Sequence, residues 1–123
     1  MTATKIFRID GLVAGLGFKA PVIAVTNAAI TLSGEQTVNS VAVTEGDRVL
    51  VKDQSDSSEN GIYEVETGAW TRAGDWDGNR DVVNGTLVIS ALTPWVGLYQ
   101  ANATNPVVIG TTEVTFTLVA TGT

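Results

Sequence analysis

The chain has 123 residues, 44% of them hydrophobic, and sets seven Lys and Arg against thirteen Asp and Glu for a formal charge of −6. It contains no cysteine and no histidine, which excludes disulfides, thiolate metal centres and the commonest general base. The length is that of one domain with enough apolar residues for a core, and the few, scattered basic residues argue against nucleic acid as a partner. No apolar run reaches the ~18 residues of a membrane span. The start Met-Thr-Ala-Thr-Lys lacks the features of a signal peptide, so no membrane partner and synthesis in a cytoplasm are expected.

Residues 1–18 differ in character from the rest of the chain. Lys5 to Ile9 is a short extended run, and Gly11-Leu-Val-Ala-Gly-Leu-Gly17 is apolar and glycine-rich. Three glycines in seven residues disfavour a helix, at ~1 kcal/mol each relative to alanine. One reading is an edge strand followed by a flexible loop. The other is an N-terminal arm, with Leu12, Val13 and Leu16 as contacts to a neighbouring protein. On the second reading residues 19–123 form a single β domain, and deleting Met1 to Gly17 leaves it folded but unattached.

From Lys19 onward short Val- and Thr-rich runs alternate with turn signals. Val22 to Thr26, Ile30 to Leu32 and Thr37 to Val43 read as strands. Arg48-Val-Leu-Val-Lys-Asp53 alternates polar and apolar side chains, with Val49 and Val51 on one face. Gln54 to Gly61 is a polar loop closed by Asn60-Gly61, and Ile62 to Glu66 alternates again, so the two runs read as a β-hairpin. Ala69 to Ala73 is a third extended run. Asp75 to Asn84 is turn-rich, and Thr86 to Ser90, Val96 to Gln100 and Val114 to Val119 complete the strands. No segment of ten residues carries a helical period. The fold class is all-β, an antiparallel β-sandwich or small β-barrel with an N-terminal arm. Its expected core is Val25, Ile30, Leu32, Val41, Val49, Val51, Ile62, Val65, Leu87, Ile89, Leu98, Phe116 and Leu118.

Little in the chain suggests catalysis. Gly-x-Ser-x-Gly and Ser-x-x-Lys are both absent, and the glycines at 11–17 are not followed by the helix that a phosphate loop needs. Asp53, Asp56, Glu59, Asp75 and Asp77 are acidic candidates for glycoside hydrolysis, but they fall in loops where carboxylates are ordinarily solvated. The chain therefore reads as a non-enzyme that needs no cofactor. Asp75, Asp77, Asn79 and Asp81 are spaced two apart, as in a calcium loop, yet Arg80 stands where the turn glycine belongs and no glutamate closes the loop. A turn is the simpler account of them. Tyr63 and Trp70 lie in strands and read as core. Trp76 and Trp95 lie in turn-rich segments and read as exposed contacts, to a protein neighbour rather than to a glycan.

Four motifs in fixed order carry a resemblance. Leu32 to Thr37 (LSGEQT), Gly46 to Gln54 (GDRVLVKDQ), Glu59 to Tyr63 (ENGIY) and Trp70 to Asp75 (WTRAGD) resemble a domain that recurs in tail-fibre and tail-associated proteins of tailed bacteriophages and prophages. The likeness spans about Lys19 to Leu118. It implies a structural role in a virion, other tail, fibre or capsid proteins as partners, and homo-oligomerisation as a trimer by analogy with fibre symmetry. It transfers no catalytic residue. The chain is short for a whole fibre and shows no coiled coil or depolymerase, which points to a small separate component. A capsid decoration or head-fibre protein and a carbohydrate-binding module are the alternatives. Turn chemistry by itself accounts for the Gly46-Asp47-Arg48 and Asn60-Gly61 signatures.

Overall fold

The computed structural model describes residues 18–78, 81–90 and 97–121. Leu12, Val13 and Leu16 of the expected arm, together with Asn79 and Trp95, lie outside the described residues. The regular structure consists of β1 (Phe18–Val22), β2 (Ala24–Val25), β3 (Gln36–Val38), β4 (Val41–Val43), β5 (Arg48–Val51), a 3-10 turn (Ser57–Glu59), β6 (Gly61–Glu64), β7 (Thr71–Arg72), β8 (Leu87–Ser90), β9 (Gly97–Asn102) and β10 (Thr115–Thr121). The described residues contain no α-helix, and the fold is all-β as the alternation implies.

Two four-stranded sheets, ordered β1-β8-β9-β10 and β2-β5-β6-β7, accompany a separate β3-β4 hairpin. Neither large sheet is purely antiparallel, which corrects the sequence expectation. β1 runs parallel to β8 and β2 runs parallel to β5. The cause lies at Ile23, where one extended segment breaks and passes from the first sheet to the second. The Ile23 N–H donates to Arg48 O at 2.9 Å and the Thr26 N–H donates to Leu50 O at 3.0 Å, tying the second half of the segment to β5. Parallel neighbours need a long connection, and the β3-β4 hairpin lies within the one from β2 to β5.

The β2-β5-β6-β7 sheet is buried on both faces. Leu50 and Ile62 oppose each other in register and face an apolar layer with Val22, Val88, Ala101 and Val114. Val49 and Tyr63 also oppose each other, and they face a second layer with Val38, Val41, Val43 and Trp70. Val49, Leu50 and Val51 are therefore all buried, as a strand covered on two sides requires. The expectation that alternation turns Val49 and Val51 inward is correct, but Leu50 is equally internal.

Thr37 to Val43 is two strands rather than one. Val38 pairs with Val41 across a two-residue turn, and Asn39 and Ser40 both adopt positive φ, 49° and 75°. That is the primed turn matching strand twist, usually signalled by glycine. Asn39 is held there by donating from Nδ2 to Val25 O at 3.0 Å. Ile30 to Leu32 forms no strand, although both side chains pack against the second layer.

The expected core also changes in the first sheet. Val88 and Ser90 of β8 point inward, while Leu87 and Ile89 are only half-buried. Leu98 is likewise half-buried, Phe116 packs at the core margin, and Leu118 is 47% exposed. Three apolar residues in succession at 87–89 give no alternation to fix which face is internal.

Candidate functional site

The motif residues come together around Arg48. Gly46 takes φ 93° in the turn before β5, and the Asp47 carboxylate accepts the Thr44 N–H at 2.8 Å. This sets Arg48 at the head of β5, where its guanidinium forms a two-pronged pair with Asp75, Nη1 to Oδ1 and Nη2 to Oδ2, both at 3.0 Å. The same guanidinium donates to Ala20 O at 2.8 Å and Pro21 O at 3.2 Å. The Asp75 carboxylate in turn accepts the Ala20 N–H. Burial pushes the Asp75 carboxyl up, but the Arg48 hydrogen bonds and charge, with the Ala20 N–H, outweigh it and hold the group below its ordinary range. Two motifs thus clamp the middle of β1.

A second fastening closes the loop before β6. The Asp56 carboxylate accepts from Ser58 N at 3.0 Å and Ser58 Oγ at 2.7 Å, which lowers its pKa. Asn60 is buried and bonded at both ends of its amide: Oδ1 accepts the Gln54 N–H at 3.0 Å, and Nδ2 donates to Val114 O at 2.8 Å. Arg72 lies 4.7 Å over the Tyr63 ring and donates to Asn60 O and Ser58 O. Burial lowers the Arg72 pKa and raises that of Tyr63, whose hydroxyl donates to Glu59 O.

The remaining motif is a third fastening. Gln54 grips the backbone of Ile30 at both ends, accepting its N–H at 2.8 Å and donating to its carbonyl at 3.0 Å. Trp70 Nε1 donates to Gly34 O at 2.9 Å, and Gln36 Nε2 donates to Thr31 O and Ser33 O. Gly34 has φ 79°, a value that favours glycine at this turn.

The structure separates the calcium-loop candidates. Asp75 turns to Arg48, whereas Asp81 Oδ2 accepts the N–H groups of Asp77 and Gly78 at 3.0 and 2.8 Å. Asn79 lies outside the described residues. Among the described residues no group of three or more His, Cys, Asp or Glu is placed to hold a metal ion. Of the other hydrolase candidates, the Asp53 carboxylate accepts from Thr26 Oγ1 and Lys52 Nζ, and that of Glu59 accepts from Gln54 Nε2.

Trp76 corrects the reading of an exposed contact, because its side chain is 0% exposed. Charged neighbours at 75 and 77 conceal a residue whose ring enters the first apolar layer, 5.7 Å from the Phe116 centroid. The ring lies against Gly61, where a Cβ would come within 2.5 Å of Nε1. Tyr63 and Trp70 are core residues, as expected.

Sequence reasoning missed one surface. β10 is the outer strand of its sheet, paired with β9 alone. Among the described residues no other backbone group bonds to it. Its seven residues, Thr-Phe-Thr-Leu-Val-Ala-Thr, include no charge and no proline, and all but Phe116 are exposed. The signal was legible as an uncharged terminal strand, but its edge position depends on sheet order. No family model, no curated protein and no solved structure matches this chain.

Proposed function

We propose that the protein is a structural component of a tailed-bacteriophage virion, a small tail or tail-fibre associated protein that anchors or assembles host-attachment parts. The reading begins from the resemblance carried by the four motifs. The observation that supports it is how their polar side chains are used: Gln36, Arg48, Gln54, Asn60, Arg72 and Asp75 all bond within the fold. Motifs spent on fastening loops and strand edges suit a scaffold, and function then rests on surfaces rather than on a reactive centre. Its partners on this reading are other virion proteins, with the expected arm as the attachment segment and no cofactor required. The arm ends before Phe18, because that residue begins β1 and pairs with Leu87.

A capsid decoration or head-fibre role fits the same features at a different place in the particle. The glycan-binding reading loses one of its two aromatic contacts, since Trp76 is internal. Immunogold labelling of purified particles, viewed by negative stain, tests the proposal. Gold at the tail or fibres supports it, gold on the head transfers the protein to the decoration class, and unlabelled intact particles overturn both.

A further inference from the structure

We infer that β10 is the surface through which two copies of this chain pair, edge to edge and antiparallel, about a two-fold axis. An outer strand presents backbone N–H and C=O groups that a second strand can complete, and proteins usually protect such edges with charge, proline or short length. β10 lacks the first two devices and is the longest strand described. A bulge after Leu118 limits the regular run to Thr115–Leu118. Beside it Leu118 and Val119 are each 47% exposed.

The other edge of the same sheet decides the occupant. β1 contains Pro21, which has no N–H, and the Arg48–Asp75 pair occupies the Ala20 N–H, Ala20 O and Pro21 O. A head-to-tail contact of β10 on β1 of the next copy is therefore obstructed. β2 and β7, the outer strands of the second sheet, have two residues each, and β3 and β4 of the separate hairpin have three each, so these edges offer little to pair with. The edge that remains is β10 itself, and joining β10 to β10 gives an isologous, closed contact.

Charge does not oppose this arrangement locally. Each copy carries −6 overall, but β10 carries none. With the axis through Thr117, which then faces Thr117 of the second copy, Glu113 lies against the far end of the other β10, so the two Glu113 side chains lie at opposite ends. Bulk repulsion between copies is screened by salt, and pairing should strengthen as salt is raised. The inference is independent of where in a particle the protein works, and it differs from the trimer implied by fibre symmetry in requiring an even number of copies.

The test uses the full chain in sedimentation and light-scattering measurements up to about 100 µM, since pairing is concentration-dependent. A dimer is expected. Leu118→Lys and Val119→Lys should each weaken it at least tenfold with an unchanged far-UV circular dichroism spectrum. Because the chain has no cysteine, single Thr115→Cys and Thr117→Cys variants report the contact directly. Oxidation should link two copies of Thr117→Cys, whose sulfurs face each other across the axis, and much less those of Thr115→Cys. A monomer or a trimer at that concentration overturns the inference. So does a dimer that survives both lysine substitutions and cross-links at neither cysteine.

Discussion

Arg48 and Asp75 lie 27 residues apart in sequence, yet share two hydrogen bonds of 3.0 Å and together occupy both backbone polar groups of Ala20. The pair does more than join two charges. It substitutes for a neighbouring strand at β1, and it links β1 to β5 and to the segment after β7.

The first prediction concerns acid. Asp75 has a lowered pKa in the folded state, so the unfolded chain binds that proton more readily. The stability it contributes is complete above about pH 4 and is lost as pH falls through the lowered folded value. Urea midpoints of the native protein and of Asp75→Asn should differ at pH 7 and converge toward pH 2. A gap that stays constant with pH would show that the charge is not what matters.

A second prediction rests on the contact between Gly61 and Trp76. Gly61 has φ 148°, and an added Cβ would meet Trp76 Nε1 at 2.5 Å and Arg72 Nη1 at 2.6 Å. Gly61→Ala should cost more than about 2 kcal/mol, combining backbone strain with displacement of a core ring. Trp76→Ala should cost about 3–5 kcal/mol through cavity formation. Near-wild-type melting of either variant would contradict the buried placement of the indole.

Much of this architecture was legible in the residues. The β5-β6 hairpin announced itself through alternation, and Tyr63 and Trp70 read correctly as core. Asn60-Gly61, however, is not the expected Asn-Gly turn: Asn60 is extended at φ −67° and Gly61 is the first residue of β6. What escaped were decisions made at a distance. Alternation at Arg48 to Lys52 says that two faces differ, but only a second apolar layer makes Leu50 internal as well. The run Leu87-Val-Ile89 carries no local record of its orientation. Trp76 looked like a loop residue because its neighbours are charged, and the cavity it fills is built by β6 and β10. The identity of the carboxylate for Arg48 was equally non-local.

Leucines in two strands provide the third prediction. Leu50 is fully buried, and Leu50→Ala should cost about 2–5 kcal/mol. Leu87→Ala, on the half-buried face, should cost under about 1.5 kcal/mol. Equal losses in urea unfolding would mean that β8 presents the wrong face here.

The fourth prediction addresses metal. Asp75 and Asp81 are already bonded to Arg48 and to backbone N–H groups, so calcium would have to displace existing partners. Melting temperatures in EDTA and in excess calcium should coincide. A clear rise with calcium would require these carboxylates to rearrange around an ion.

A sheet that lines two apolar layers has a consequence for cooperativity. Loss of β5 or β6 would expose Leu50 and Ile62 on one side together with Val49 and Tyr63 on the other, so neither layer can open while the other persists. We predict one all-or-none transition for residues 18–121 rather than stepwise melting. Amide hydrogen exchange checks this: the slowest amides should fall in β5 and β6 and should all report the same opening free energy, that of global unfolding. A faster, separate class covering the β3-β4 hairpin would mean that the second layer comes apart by itself.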